Sequence, residues 1–300
     1  MSYEFIESPN QSGRKGNQVA GLIAHFTAGG EMNGTVRYMC NKVRVPKAQQ
    51  GKTGPGYVTI NGITYYNARA SAHYITGRDG RTVMLVPENM SAWHAGSNNT
   101  KPTLNGRGNL NLWTIGHEIC NWGPLRKVGD KFFTNAANWS HPYVGPEPVS
   151  VPRTMPKELS AGYKLGDGAL AFPEHTIEWW EPYTEEQIKA TITLWTEIVN
   201  RYNLHVKDIA GHEDVDPTRK CDPGAAFSWD DILGEVFKSP SEPKKSDLLY
   251  PSAKEIDSVA IDTADIESSV EVDMAERMFD DNRAKPKKGI CSSLLSLLLK

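Results

Sequence analysis

From Val19 to Phe26 the chain reads Val-Ala-Gly-Leu-Ile-Ala-His-Phe, an apolar run interrupted by a single polar side chain, His25. A near-continuous run of this kind, without polar/apolar alternation, predicts a strand covered on both faces. Such a strand belongs in the interior of a sheet with a packing layer on either side, which points to an α/β architecture. The run also carries an imidazole to the end of a buried strand, where a side chain can project into a cleft.

The remaining elements fit that frame. Residues 113–120 (Trp-Thr-Ile-Gly-His-Glu-Ile-Cys) predict another strand, and 205–211 a short one that ends at His212. Residues 71–76 and 82–86 flank Gly77-Arg78-Asp79-Gly80, a turn signal, and predict a hairpin. The clearest helix spans 185–202: Thr184 can cap it, and Gln187 at the third helical position completes a capping box. Ile188, Ile192, Trp195, Ile198, Val199 and Tyr202 recur at helical spacing along one face. A shorter helix is expected after Ser228, with Asp231 at capping-box spacing. The expected fold is one α/β domain over residues 1–238, a central mixed β-sheet flanked by helices.

Two stretches read as insertions into that domain. Residues 43–70 contain Asn61-Gly62, which marks a second hairpin. Residues 122–183 read as a long, proline-rich loop region carrying Trp122, Trp139, Trp179 and Trp180. Those rings suit a glycan platform and a small core of the insertion's own equally well.

Composition excludes several functions. With a net charge of −3 over 300 residues there is no electrostatic case for binding nucleic acid. The opening MSYEFIESPNQSGRKGN lacks a basic stretch leading into an apolar one, so no secretory signal is expected and the chain is expected to be cytoplasmic when synthesised. No apolar run is long enough to span a bilayer. Cys40, Cys120, Cys221 and Cys291 are scattered and read as reduced thiols. After Phe237 the composition turns to Ser, Pro and charge, then to acids between Glu255 and Asp281. A tail over 239–300 is therefore expected to be disordered or weakly helical. Its last part, Lys285, Lys287 and Lys288 followed by leucines, can fray, dock on a partner or make weak contact with a membrane surface through 285–300.

The chemistry concentrates in His212-Glu213-Asp214-Val215-Asp216-Pro217-Thr218-Arg219-Lys220-Cys221-Asp222-Pro223-Gly224. Pro217 and Pro223-Gly224 favour a fixed turn that can bring Asp222 back toward His212. With His25, this makes two imidazoles and a carboxylate, a zinc-site composition that leaves a fourth position for water and points to metal-assisted hydrolysis. The bland alternatives are a hydrogen-bonded strand-end histidine and a surface loop with ordinary salt bridges. Other chemistries lack their motifs. His117-Glu118 and His212-Glu213 have no second histidine at zincin spacing, and no Gly-x-Ser-x-Gly elbow exists. Pro46 stands where a P-loop ending in Gly51-Lys52-Thr53 needs glycine, and neither Gly-x-Gly has the third glycine of a dinucleotide fingerprint.

Four segments occur in order: GLIAHFTAGG, SAHYITGRDGRTVMLVPENMSAWHAG, TIGHEICN and IAGHEDVDPTRKCDPG. Together they resemble the zinc-dependent type 2 N-acetylmuramoyl-L-alanine amidases, which include the muropeptide-recycling amidase, T7-type lysozyme and the peptidoglycan recognition proteins. The resemblance covers roughly 18–237 outside the insertions. It implies Zn2+ held by His25, His212 and Asp222, catalytic roles for Glu118 and Lys220, and hydrolysis of the amide joining N-acetylmuramic acid to L-alanine. The chain departs from the pattern at His117, where the family usually has isoleucine, and at Cys221, beside the expected ligand. Cys221 is a soft alternative ligand, but Asp222 is favoured and Cys221 is expected to be a small packed thiol; His73 and His94 are expected to be cleft-wall or hydrogen-bonding residues. The size and insertions lean toward a lytic enzyme acting on peptidoglycan in the periplasm, such as a phage endolysin or antibacterial effector. A cytosolic anhydro-muropeptide recycling amidase, a non-catalytic peptidoglycan-binding module and a zinc amidase for another substrate remain the alternatives, and the oligomeric state stays open.

Overall fold

The structure, a computed structural model, describes residues 3–40, 57–60, 63–66, 70–96 and 104–238. The expected tail over 239–300, Cys291 and most of the 43–70 insertion lie outside the described residues. Along the chain come β1 (Glu4–Phe5), β2 (Gln11–Gly13), β3 (Gly21–Phe26), α1 (Met32–Cys40) and the pair β4 (Tyr57–Ile60) and β5 (Ile63–Tyr66). Next are β6 (Tyr74–Thr76), β7 (Thr82–Met84), β8 (Met90–Ala92) and β9 (Thr114–Ile119). The inserted region supplies β10 (Pro124–Val128), β11 (Lys131–Thr134), β12 (His141–Pro142), β13 (Val149–Thr154), α2 (Lys157–Ser160) and β14 (Thr176–Trp180). The described chain closes with α3 (Glu185–Tyr202), β15 (Ile209–Gly211), α4 (His212–Val215) and α5 (Trp229–Val236).

The main sheet has the order β1-β7-β6-β9-β3-β15. It is mixed: β6 and β7 are the expected antiparallel hairpin, and the other neighbours run parallel. Every residue of β3 and of β9 is buried, as a doubly covered strand requires. Because side chains alternate along a strand, Leu22 and Ala24 of β3 pack with Ile115 and Ile119 of β9 against Leu194, Trp195, Ile198 and Val199 of α3. Full burial of each large apolar side chain here contributes about 1.5–3 kcal/mol. Ile23 and His25 face the other way, where Ile23 meets Ala95, Leu110, Ala210 and Val215. On that side α1 covers Ile75 and Val83 through Met32, Tyr38 and Met39.

Helix α3 begins with the expected capping box: Gln187 N donates to Thr184 Oγ1 at 3.1 Å and Thr184 N to Gln187 Oε1 at 3.0 Å. Helix α5 also forms, but Ser228 makes no side-chain cap bond, so the box expected at Asp231 is not built. The helix is instead held by Ile232 and Val236 in the α3 core. In the 43–70 insertion, β4 and β5 pair antiparallel with Ile60 opposite Ile63, the register a two-residue turn gives.

The region 122–183 corrects an expectation. It is not a loop but a five-stranded antiparallel sheet, order β12-β11-β10-β14-β13. Its strands are two to six residues long and carry little alternation, and β10 finds β14 only across most of the insertion. Pairings of that kind leave no local pattern to read. The tryptophans divide between two small cores. Trp139 and Trp180 lie buried with Met155, Leu159, Tyr163, Phe172 and Ile177, and this cluster reaches Phe26 and Cys221 of the main domain. Trp122 and Leu125 form the other, with Trp179 half-buried against it. The inserted sheet is pinned to the β6–β7 turn by Arg78, whose guanidinium pairs with buried Glu181 at 2.6 Å. Among the described residues, no helix is long and apolar enough to cross a membrane.

Candidate metal centre

The C-terminal ends of three parallel strands converge on one spot, where α/β sheets commonly place a site. His25 is the penultimate residue of β3, and its register partner on β9 is Glu118. Strand β15 pairs Gly211 with Ala24, so His212 leaves the sheet at the level of His25 and begins α4. Gly211 permits a close approach: a Cβ there would lie 2.7 Å from Cδ of Pro223. The segment carrying Asp222 can therefore fold back over the strand end. Glu213 N donates to Asp222 O at 2.9 Å, and the Tyr183 hydroxyl donates to Pro223 O at 2.8 Å.

The result is a buried triangle of donor atoms. His25 Nδ1 lies 3.0 Å from His212 Nδ1 and 2.9 Å from Asp222 Oδ2, and His212 Nδ1 lies 3.1 Å from the same oxygen. Two imidazole nitrogens facing each other across such a gap can share at most one proton. A tetrahedral zinc ion with bonds near 2.0 Å asks for donor–donor edges of about 3.3 Å, so the nitrogens and the carboxylate fit that ion. Burial lowers the pKa of His25 and takes that of His212 to about 3, keeping both rings neutral. Burial opposes the Asp222 carboxylate, but His212 beside it, hydrogen-bonded to it, and the charge of Lys220 hold it well below the usual range. Neutral imidazoles and an ionised carboxylate are the ligand states a metal needs. Among the described residues, no other trio of His, Cys, Asp or Glu forms such a group.

Glu118 is buried beside the triangle, and its Oε2 has no hydrogen-bond partner among the described residues. Burial, and then the charge of Asp222, raises its pKa well above the ordinary carboxyl value. Lys220 is buried within electrostatic reach of both Asp222 and Glu118, and burial lowers its pKa. Cys221 turns away: its Sγ lies 2.8 Å from the Tyr163 hydroxyl inside the inserted core, and burial pushes its thiol up to about 12. A thiol so placed is packing, not ligand.

The other three motif histidines have separate settings. His117 points to the α3 side, accepting from Trp195 Nε1 at 3.0 Å and lying 2.8 Å from Thr76 Oγ1. It replaces an apolar residue as a fully satisfied core imidazole. His73 contacts Arg14 and the backbone of β9. His94 stands edge-on to His25. Around the site also stand Thr114, Gly116, Tyr163 and the Arg153–Glu213 ion pair that joins β13 to α4, none of them given a role by the sequence motifs. Only Gly116, a glycine inside a strand, left a signal, because such a position often marks a close approach.

Fold and donor set define an α/β protein with a buried His-His-Asp centre at the strand ends. The chain belongs to the N-acetylmuramoyl-L-alanine amidase family, Amidase_2, whose model matches residues 15–225. It is similar to the N-acetylmuramoyl-L-alanine amidase AmiD of Escherichia coli, 25% identical over 176 residues, covering 56% of this chain and 45% of AmiD. It is also similar to the 1,6-anhydro-N-acetylmuramyl-L-alanine amidase AmpD of Haemophilus influenzae, 27% identical over 172 residues, covering 57% of this chain and 61% of AmpD. The chain thus spans less than two thirds of either relative. Among solved structures, a selenomethionine derivative of AmpD aligns with 78% of this chain and 93% of its own at 18% identity, with a TM-score of 0.46.

Proposed function

We propose that this protein hydrolyses the amide bond between N-acetylmuramic acid and L-alanine, with zinc held by His25, His212 and Asp222. The observation that carries the reading is the triangle of Nδ1, Nδ1 and Oδ2 atoms with edges of 2.9–3.1 Å, set beside a buried, unpartnered carboxylate oxygen. A bound zinc ion supplies Lewis acidity toward water and toward the scissile carbonyl. Glu118 takes a proton from the attacking water at Oε2 and returns it to the departing alanine nitrogen. Burial raises its pKa, which favours a carboxyl that holds the proton before passing it on. Lys220 stabilises the oxyanion of the tetrahedral intermediate.

The names of the relatives favour one substrate class. Those named AmpD are 1,6-anhydro-N-acetylmuramyl-L-alanine amidases. That supports a soluble anhydro-muropeptide, the recycling alternative, over the lytic role toward which size and insertions leaned. The test is zinc analysis of the purified chain, with cleavage of a soluble anhydro-muropeptide measured beside solubilisation of intact sacculi. Release of the peptide from the soluble substrate, with little action on sacculi, is the expected result. A zinc-loaded chain that cleaves neither would overturn the assignment in favour of a binding module.

A further inference from the structure

We propose that Thr114 and His94 act as positioning residues that fix the tautomer of His25, leaving its Nδ1 bare for the metal; the inference rests on the metal-centre reading above. His25 Nε2 lies 3.0 Å from His94 Nδ1, and His94 Nε2 lies 3.2 Å from Thr114 Oγ1. Thr114 Oγ1 in turn lies 2.8 Å from the carbonyl oxygen of Leu110. The direction of this chain follows from its last member. A carbonyl can only accept, so the single hydroxyl proton of Thr114 goes to Leu110. The Thr114 oxygen then accepts from His94 Nε2–H. A neutral His94 has no proton left on Nδ1, which accepts from His25 Nε2–H. A neutral His25 is left with a lone pair at Nδ1, the atom that faces His212 and Asp222.

The placement of His94 is built, not incidental. The ring lies on the bare backbone of Gly116, where a Cβ would come within 2.4 Å of His94 Cγ. Asn111 Oδ1 accepts from the backbone N–H of both His94 and Ala95, at 3.1 and 2.7 Å. His212 has no counterpart, since its buried Nε2 meets no partner among the described residues. The two imidazoles are therefore unequal: His25 is preset, and His212 is not.

The experiment uses the full chain labelled with 15N-histidine, zinc-loaded and after chelation. Two-bond 1H–15N spectra report the tautomers, with His25 assigned by difference from His25→Gln. Nε2–H forms of His25 and His94 are expected in both states. Zinc affinity is then measured by chelator competition. Thr114→Val, nearly isosteric, should weaken zinc binding about 10- to 100-fold, the usual effect of removing an outer-shell partner. Thr114→Ser should restore it. An Nδ1–H form of His25 in the chelated protein, or a folded Thr114→Val variant with undiminished zinc affinity, would overturn the relay. If Thr114→Val does not fold, the spectra of the unaltered chain still decide. Should the unaltered chain bind no zinc, the metal reading fails, while the His25 tautomer continues to judge the relay.

Discussion

His25 and Glu118 are register partners on adjacent parallel strands, so a candidate ligand and a candidate base project side by side from one face of the sheet. The two roles are separable by substitution. Glu118→Gln keeps the shape and removes the base. It should retain one zinc per chain and lose turnover by about 10²- to 10⁴-fold. His25→Ala should lose both zinc and turnover. Metal analysis and a muropeptide cleavage assay on the two variants read these outcomes, and a fully active Glu118→Gln variant would displace Glu118 from the mechanism.

Asp222 and Cys221 are sequence neighbours with opposite surroundings, one in the donor triangle and one against Tyr163. Asp222→Ala should abolish tight zinc binding. Cys221→Ala should leave zinc stoichiometry unchanged but lower thermal stability. It strips the buried Tyr163 hydroxyl of its partner, at a cost of about 1–3 kcal/mol. Zinc titration and thermal unfolding of both variants check the contrast.

Lys220 is expected to act on the oxyanion and not on ground-state binding. Lys220→Met should reduce kcat by about 10²- to 10³-fold, as loss of an oxyanion donor does, with KM little altered. Steady-state kinetics on a soluble muropeptide decide this, and an unchanged kcat would remove Lys220 from the mechanism.

His117 makes the fold sensitive to acid. Burial depresses its pKa from 6.5 to about 3 in the folded chain. A histidine that must stay neutral gives its full stability above pH 6.5 and loses it as pH falls toward 3, because the unfolded chain takes up the proton first. One such group removes about 2 kcal/mol between pH 6.5 and 5. His117→Ile should be less stable than the parent at pH 7, having orphaned Trp195 Nε1, yet show a shallower decline at pH 5. Urea unfolding at the two pH values measures both slopes.

Where a segment's own pattern reports its surroundings, the sequence was readable. The apolar run of β3 and the spacing of α3 both reflect burial by neighbours on known faces, and the turn at Gly77–Gly80 fixes the β6–β7 hairpin locally. Even in α3 the pattern was incomplete, since Leu194 is buried there as well. The trio His25, His212 and Asp222 was legible because two motifs in order carry it, one at the end of β3 and one running from the end of β15 into the fold-back. The inserted sheet was not, since β10 and β14 recognise each other only in space. Thr114 and the tilt of His94 were hidden for a related reason. A hydrogen bond between side chains twenty residues apart depends on where the backbone has already been placed.

The fold-back that carries Asp222 is fastened mainly from the inserted region. Tyr183 grips the Pro223 carbonyl, Arg153 grips Glu213, Tyr163 meets Cys221, and the ring of Trp180 lies where a Cβ on Gly224 would stand. Anyone trimming this chain to a minimal scaffold by excising 124–180 would keep every strand of the main sheet and still unfasten the third candidate ligand. What looks in the linear chain like dispensable cargo serves in space as the buttress of the Asp222 loop.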